Sequence, residues 1–180
     1  RTLTNNIIGS QTTALSFQAA SPSTSSTAQN VRAIWNASTG SIQISNNTIA
    51  NLFNAYARAT TSGQTVGILS TAGTCTITNN TIRDISTASL STGTSTTTVS
   101  LAGIVLSSPL SGQNISGNAI YNLTNAGATN ANVQVWGIYT GTSTAAGNNT
   151  ITGNFIHSLK LNSLNNSVSA AIYGIQVAHA

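Results

Sequence analysis

Hydrophobic residues along this chain come in short bursts with a fixed internal cadence. The stretches "LTNNII" (3–8), "ISNNTI" (44–49), "ITNNTI" (77–82), "ISGNAI" (115–120) and "ITGNFI" (151–156) each run from an apolar residue through Asn or Gly to Asn, and close on Ile. A second motif alternates with the first: "VRAIWN" (31–36), "TVGILS" (65–70), "LAGIVL" (101–106), "VWGIYT" (135–140) and "IYGIQV" (172–177), each with Gly or Ala before Ile. A third apolar position follows each Asn motif by three residues, at Leu52, Ile85, Leu123 and Leu159, with Gln11 breaking the pattern in the first unit. Between these bursts lie Ser/Thr/Asn/Ala stretches such as "STASLSTGTSTTTVS" (86–100), which carry all the variation in repeat length. A fixed motif on a wandering period marks a repeat architecture.

Three short strands per repeat, with irregular connections at particular corners, predict an all-β fold. The expectation is a right-handed parallel β-helix of about five coils that takes in residues 1–180 as one repeat segment. Equivalent residues then stack about 4.8 Å apart along the axis. Asparagine is depleted in strands because its amide competes with the backbone, so a pair of them between two Ile residues needs a reason. The first of the pair is Asn5, Asn46, Asn79, Gly117 or Gly153, and these are the residue types that tolerate a left-handed backbone; the chain should turn a corner there. The second is Asn6, Asn47, Asn80, Asn118 or Asn154, placed to form a ladder in which each amide donates to one neighbour and accepts from the other.

The flanking apolar residues predict three core rows. Leu3, Ile44, Ile77, Ile115 and Ile151 form the first, Ile8, Ile49, Ile82, Ile120 and Ile156 the second, and Ile34, Ile68, Ile104, Ile138 and Ile175 the third. A β-propeller fits poorly, because its blades carry four strands and close into a ring. The Ile rows also exclude a disordered low-complexity chain.

Composition changes the picture in one direction. Ser, Thr and Asn make up roughly two residues in five, while charged residues are only 3% against a norm of about 25%. Such a surface suits secreted and cell-surface repeat proteins, so the expected location is extracellular. The pI near 9.9 reflects a near absence of acids, Asp84 being the only one. The cations Arg1, Arg32, Arg58, Arg83 and Lys160 are scattered, which argues against nucleic acid as a partner because phosphate neutralisation needs adjacent cations. Cys75 stands alone, so no internal disulfide forms. No segment approaches the roughly 18 apolar residues of a membrane span. The start, "RTLTNNIIGS", lacks a signal-peptide pattern and reads like the middle of a repeat, which predicts a segment of a longer protein.

The "GI…NxIxxNxIxNL" cadence, over essentially the whole chain, resembles the parallel β-helix repeat segments of large secreted surface proteins of the kind exported by Bacteroidetes. That resemblance implies fold rather than activity. Relatives of this architecture include polysaccharide lyases and hydrolases, adhesins and ice-binding proteins.

Catalysis finds little to work with. Sugar hydrolysis needs a pair of carboxylates, and elimination needs acids holding calcium beside a base; one acid supplies neither. Asp84 falls in a polar row with Asn51, Asn122 and Ser158, next to Arg83, and reads as a variant of an Asn position. Cys75, His157 and His179 are too dispersed for a metal site or a nucleophilic triad. No catalytic residue, metal or cofactor is expected. Seven N-x-S/T sequons occur, at Asn36, Asn46, Asn79, Asn114, Asn122, Asn148 and Asn165, several of them part of the repeated corner.

Two surfaces carry the functional expectations. Strand alternation should point Thr2/Thr4, Gln43/Ser45, Thr76/Thr78, Asn114/Ser116 and Thr150/Thr152 outward, a flat hydroxyl and amide array similar to the faces of ice-binding solenoids. Trp35, Leu69, Val105 and Tyr139 should also face outward, as an apolar stripe covered by a loop or by a neighbouring chain. The leading expectation is a non-catalytic structural or adhesive rod in a surface appendage or filament, with copies of itself, flanking repeats or cell-surface glycans as partners. Ice binding through the Thr/Ser face, and glycan binding or cleavage with Trp35, Trp136 and Tyr139 stacking on sugars, are the alternatives.

Overall fold

The computed structural model describes residues 1–22, 27–57, 63–93, 95, 98–127, 133–141, 148–162 and 171–178. Arg58, His179 and the sequon at Asn165 lie outside the described residues.

The chain is a parallel β-solenoid built from three sheets. The first sheet stacks Thr2–Thr4, Ile42–Ser45, Cys75–Thr78, Asn114–Ser116 and Thr150–Thr152. The second stacks Ile7–Ile8, Thr48–Asn54, Thr81–Thr87, Ala119–Asn125 and Phe155–Leu161, with Phe17–Ala19 completing its first layer beside Thr48–Asn54. The third stacks Val31–Asn36, Thr65–Ser70, Leu101–Leu106, Gln134–Thr140 and Ala171–Val177. Every pairing is parallel, and one coil takes one strand layer from each sheet.

Register follows the motifs. Leu3, Ile44, Ile77, Ile115 and Ile151 pair in sequence in the first sheet. The second and third Ile rows pair in the same way in theirs. On the inner coils these residues are fully buried in one continuous core. Each such Ile contributes about 1.5–3 kcal/mol of burial. Stacking identical residues satisfies both the ladder hydrogen bonds and the packing, which is why the rows tolerate so little variation in residue type.

Backbone conformation explains the corners. Asn5, Asn46, Asn79, Gly117 and Gly153 all have φ between 55° and 66°. A left-handed residue reverses the in/out alternation, so the chain leaves the first sheet and enters the second within two residues. A second left-handed column, Asn51, Asp84, Asn122 and Ser158, lies inside the second sheet at φ of 54° to 58°. It lets Ile49 and Leu52, three apart, both face the core.

The first coil departs from the reading of Gln11 as its third apolar position. Phe17, not Gln11, pairs with Leu52. Residues 10–16 form an excursion at the place where later coils have a single left-handed residue. Leu15 takes φ 55° there, and the Ser10 amide donates to Ser16 Oγ at 2.6 Å. The Gly–Ile motif has its own cause. A Cβ on Gly67, Gly103 or Gly137 would lie 2.7, 2.7 or 2.5 Å from the carbonyl oxygen of the next glycine in the column, and equally close to a methyl of Ile82, Ile120 or Ile156.

Candidate functional site

The inner asparagines form a complete ladder. Nδ2 of Asn6, Asn47, Asn80 and Asn118 donates to Oδ1 of the next rung at 2.8, 2.9, 2.9 and 2.9 Å. Each Oδ1 also accepts the backbone amide of the preceding rung at 2.9 or 3.0 Å. The second amide hydrogen returns to a carbonyl of the preceding coil: Asn47 to Leu3, Asn80 to Ile44, Asn118 to Ile77 and Asn154 to Ile115. Asn47, Asn80 and Asn118 are buried with their polar atoms paired, so the column ties every coil to its neighbours.

The Thr/Ser array faces outward on the first sheet in two registered ranks. One runs Thr2, Gln43, Thr76, Asn114, Thr150 and the other Thr4, Ser45, Thr78, Ser116, Thr152. Thr2, Thr4, Thr150 and Thr152 are exposed; Thr76, Thr78 and Ser116 are half-buried by their own neighbours, and Ser45 is buried between its rank mates. Hydroxyls meet along the ranks, Ser45 Oγ donating to Thr4 Oγ1 at 3.3 Å and Thr150 Oγ1 to Asn114 Oδ1 at 3.2 Å.

The apolar stripe is not a free contact surface over most of its length. Leu69, Val105 and Tyr139 are only 2%, 0% and 6% exposed, while Trp35 is 60% exposed. The buried three belong to a second hydrophobic cluster with Val66, Ala102 and Trp136 of the same face and Val99 of the 88–100 connection. Tyr139 stacks on Trp136 with ring centroids 4.0 Å apart, and the lack of a side chain on Gly141 leaves room for the Tyr139 ring. Trp136 is fully buried, so it and Tyr139 cannot stack on a sugar. Trp35 instead carries the Arg32 guanidinium 5.1 Å from its ring centroid.

No known family, curated protein or solved structure matches the chain. What it can do therefore rests on its own geometry.

The chemistry-bearing residues stand apart. Cys75 faces the core, its Sγ 2.8 Å from Ser70 Oγ, and burial pushes its thiol up. His157 is exposed on the second sheet; it stacks on Tyr121 at 4.9 Å and shares a 2.9 Å hydrogen bond with Ser158. Asp84 lies two coils from His157, paired with Arg83 and accepting Asn122 Nδ2 at 2.9 Å. Among the described residues no three His, Cys, Asp or Glu side chains converge. Among the described residues no helix is long and apolar enough to cross a membrane.

The covering expected for the stripe is supplied in part by a loop, Val99 of the 88–100 connection packing there; what the sequence reading missed is that Trp136 belongs to that buried cluster. It also missed a groove on the outer side of the second sheet, between Leu15 of the first coil and Lys160 of the last, following the second left-handed column. The recurrent polar position at Asn51, Asp84, Asn122 and Ser158 was its signal.

Proposed function

We propose that this chain is a non-catalytic structural segment, a rigid rod that displays variable loops at a cell surface or within an appendage or filament. One observation carries this reading: the corner between the first and second sheets is constant, and length varies only elsewhere in the coil. The first and second sheets are joined by two residues in every coil, 5–6, 46–47, 79–80, 117–118 and 153–154, bound by the asparagine ladder. The second and third sheets are joined by the dissimilar connections 20–30, 55–64, 88–100, 126–133 and 162–170, and the third and first by 37–41, 71–74, 107–113 and 141–149. A constant spine beside two variable corners is what a display scaffold requires, and the low charge and the resemblance to secreted surface repeats support an extracellular setting. Cryo-electron microscopy of the native protein at its source cell surface tests the proposal. Ordered rods or fibres with an axial repeat near 4.8 Å are expected; dispersed molecules inside the cell would count against it.

A second reading is favoured by the registered hydroxyl ranks of the first sheet, which could order water as an ice-binding face. Gln43, Asn114 and the buried Ser45 interrupt its methyl regularity. Thermal hysteresis abolished by Thr78→Tyr and Thr152→Tyr would establish it, and no hysteresis in the unaltered protein would end it.

A further inference from the structure

Two outward residues of the third sheet stay outside its second core. Arg32 and Trp35, on the strand Val31–Asn36, head the ranks Arg32, Val66, Ala102 and Trp35, Leu69, Val105. The other four are buried in the second hydrophobic cluster, whereas Trp35 is exposed and Arg32 half-buried. The indole is therefore the uncovered margin of a surface that is core everywhere else along its rank as far as Tyr139. A large aromatic ring gains much from being covered. Trp and Arg are also the residue types in which protein interfaces concentrate their energy.

Arg32 is held in place with its fork free. Its Nε donates to Gln64 Oε1 at 3.0 Å, and its guanidinium carbon lies 5.1 Å from the Trp35 ring centroid. These contacts leave Nη1 and Nη2 with no hydrogen bond or ion pair among the described residues. Burial pushes the guanidinium below its ordinary pKa, although such a group keeps its charge. A partly desolvated charge without a counter-ion is costly, and a carboxylate bonded to both nitrogens of the fork offsets that cost. Arg1 brings a second guanidinium to the corner that follows Trp35, donating from Nη1 to Ser38 Oγ at 3.0 Å. The chain has no carboxylate side chain to spare for either cation. Asp84 is its only acid, on the second sheet, where it pairs with Arg83 and accepts Asn122 Nδ2. A second copy of this chain therefore lacks the counter-ion that Arg32 calls for, and a formal net charge of +4 makes copies repel one another.

We infer that Arg32 and Trp35 are the docking site for a different, acidic protein, which lays an apolar side chain on the indole and sets an Asp or Glu carboxylate on the Arg32 fork. The apolar contact extends the second core by one more rank, and the carboxylate decides which chain can make it. The inference goes beyond the structural reading, since a rod can exist with this site empty and a soluble protein could still use it.

The test is selection of a random peptide display library on the full chain, with the Arg32→Gln chain as parallel bait, followed by anisotropy titration of the enriched peptides with both ends capped. Peptides that carry Asp or Glu beside an apolar residue are expected on the unaltered chain and not on Arg32→Gln. For such a peptide Arg32→Gln and Trp35→Ala should each weaken binding about tenfold. Arg32→Lys should restore it only in part, because an ammonium lacks the fork, and Lys160→Gln should leave it unchanged. Circular dichroism shows whether each variant keeps the fold; if Trp35→Ala does not, the two Arg32 variants decide. No enrichment over the Arg32→Gln bait, enriched peptides without a carboxylate side chain, or equal weakening by Lys160→Gln would overturn the assignment. So would a dimer of the unaltered chain in sedimentation equilibrium that Trp35→Ala disperses, since the occupant would then be a second copy.

Discussion

The outer faces of the first and third sheets begin as the same object. Each is a set of parallel strands whose outward residues stack in registered ranks across all the coils. On the first sheet those ranks are short hydroxyls and amides and stay on the surface, only Ser45 among the named positions being buried. On the third they are Val66, Ala102 and Trp136 beside Leu69, Val105 and Tyr139, and they are buried in a core of their own. The difference lies in what the neighbouring corners can reach. A two-residue corner has no chain to spare, and the connections 37–41 and 71–74 on the other flank of the first sheet are shorter than those that enter the third, so the first sheet bears outward residues that water can solvate. The connections leading into the third sheet are long enough to fold back, and Val99 shows one doing so. A solenoid wall is therefore single-layered or double-layered according to connection length, and its outward side chains follow suit.

The two tryptophans give the largest test of this contrast. Trp136→Ala, in the covered face, should cost about 3–5 kcal/mol, the usual loss for truncating a buried aromatic. Trp35→Ala should cost no more than about 1 kcal/mol, the value of an exposed cation–π contact with Arg32. Chemical denaturation of both variants measures the gap, and equal losses would show that the third face is not a true second core.

Next in size is the spine that holds the first sheet to the second. Asn80→Ala removes the acceptor used by the Asn47 amides and the donor to Asn118, leaving buried polar atoms unpaired at about 1–3 kcal/mol. Asn6→Ala, at the exposed terminal rung, should cost distinctly less in the same denaturation experiment. If the two were indistinguishable, the ladder would not act as a connected column.

A smaller effect comes from Cys75 on the inner side of the first sheet. Its thiol is pushed up by burial, an effect partly countered by hydrogen bonds from Ser70 and Asn36. A raised folded value means that the stability contribution is fully present below the unfolded thiol range, about pH 8.5, and is lost as pH climbs from there toward the folded value. The denaturation midpoint should decline over that alkaline window in the unaltered protein and decline less in Cys75→Ala. A parallel decline in both proteins would assign the loss to other groups.

The smallest change is expected on the open face. Thr78→Val keeps the β-branched shape and removes a hydroxyl that faces water, so stability should stay within about 0.5 kcal/mol. A loss comparable to that of Asn80→Ala would mean that the hydroxyl ranks hold the sheet together rather than merely covering it.

Much of this was legible because the repeat writes itself in residue types that only one backbone accommodates. Asn or Gly before Asn gave the left-handed corner and the ladder together, and an Ile at a fixed offset gave each core row. Gln11 misled because an excursion is invisible to a rule that counts fixed offsets; the residue that fills the row, Phe17, lies beyond it. Strand alternation put the apolar stripe on the outer side but could not choose between a loop and a neighbouring chain as its cover; the structure places Val99 of a connection there. The groove was out of reach for a related reason. It depends on the curvature that left-handed residues impose across several coils and on the Leu15 excursion that closes one end.

By itself, then, the sequence determined the coil: which residues turn, which face inward and which partner each finds one layer away. Those are local choices repeated along an axis, and repetition makes them readable because every copy votes for the same backbone. Only the tertiary structure decided how the connections settle on the wall, which turned the stripe at Leu69, Val105 and Tyr139 into core and left Trp35 outside. Connections of unlike length and composition carry no repeated signal, and where they pack is decided by whatever apolar surface lies within their reach.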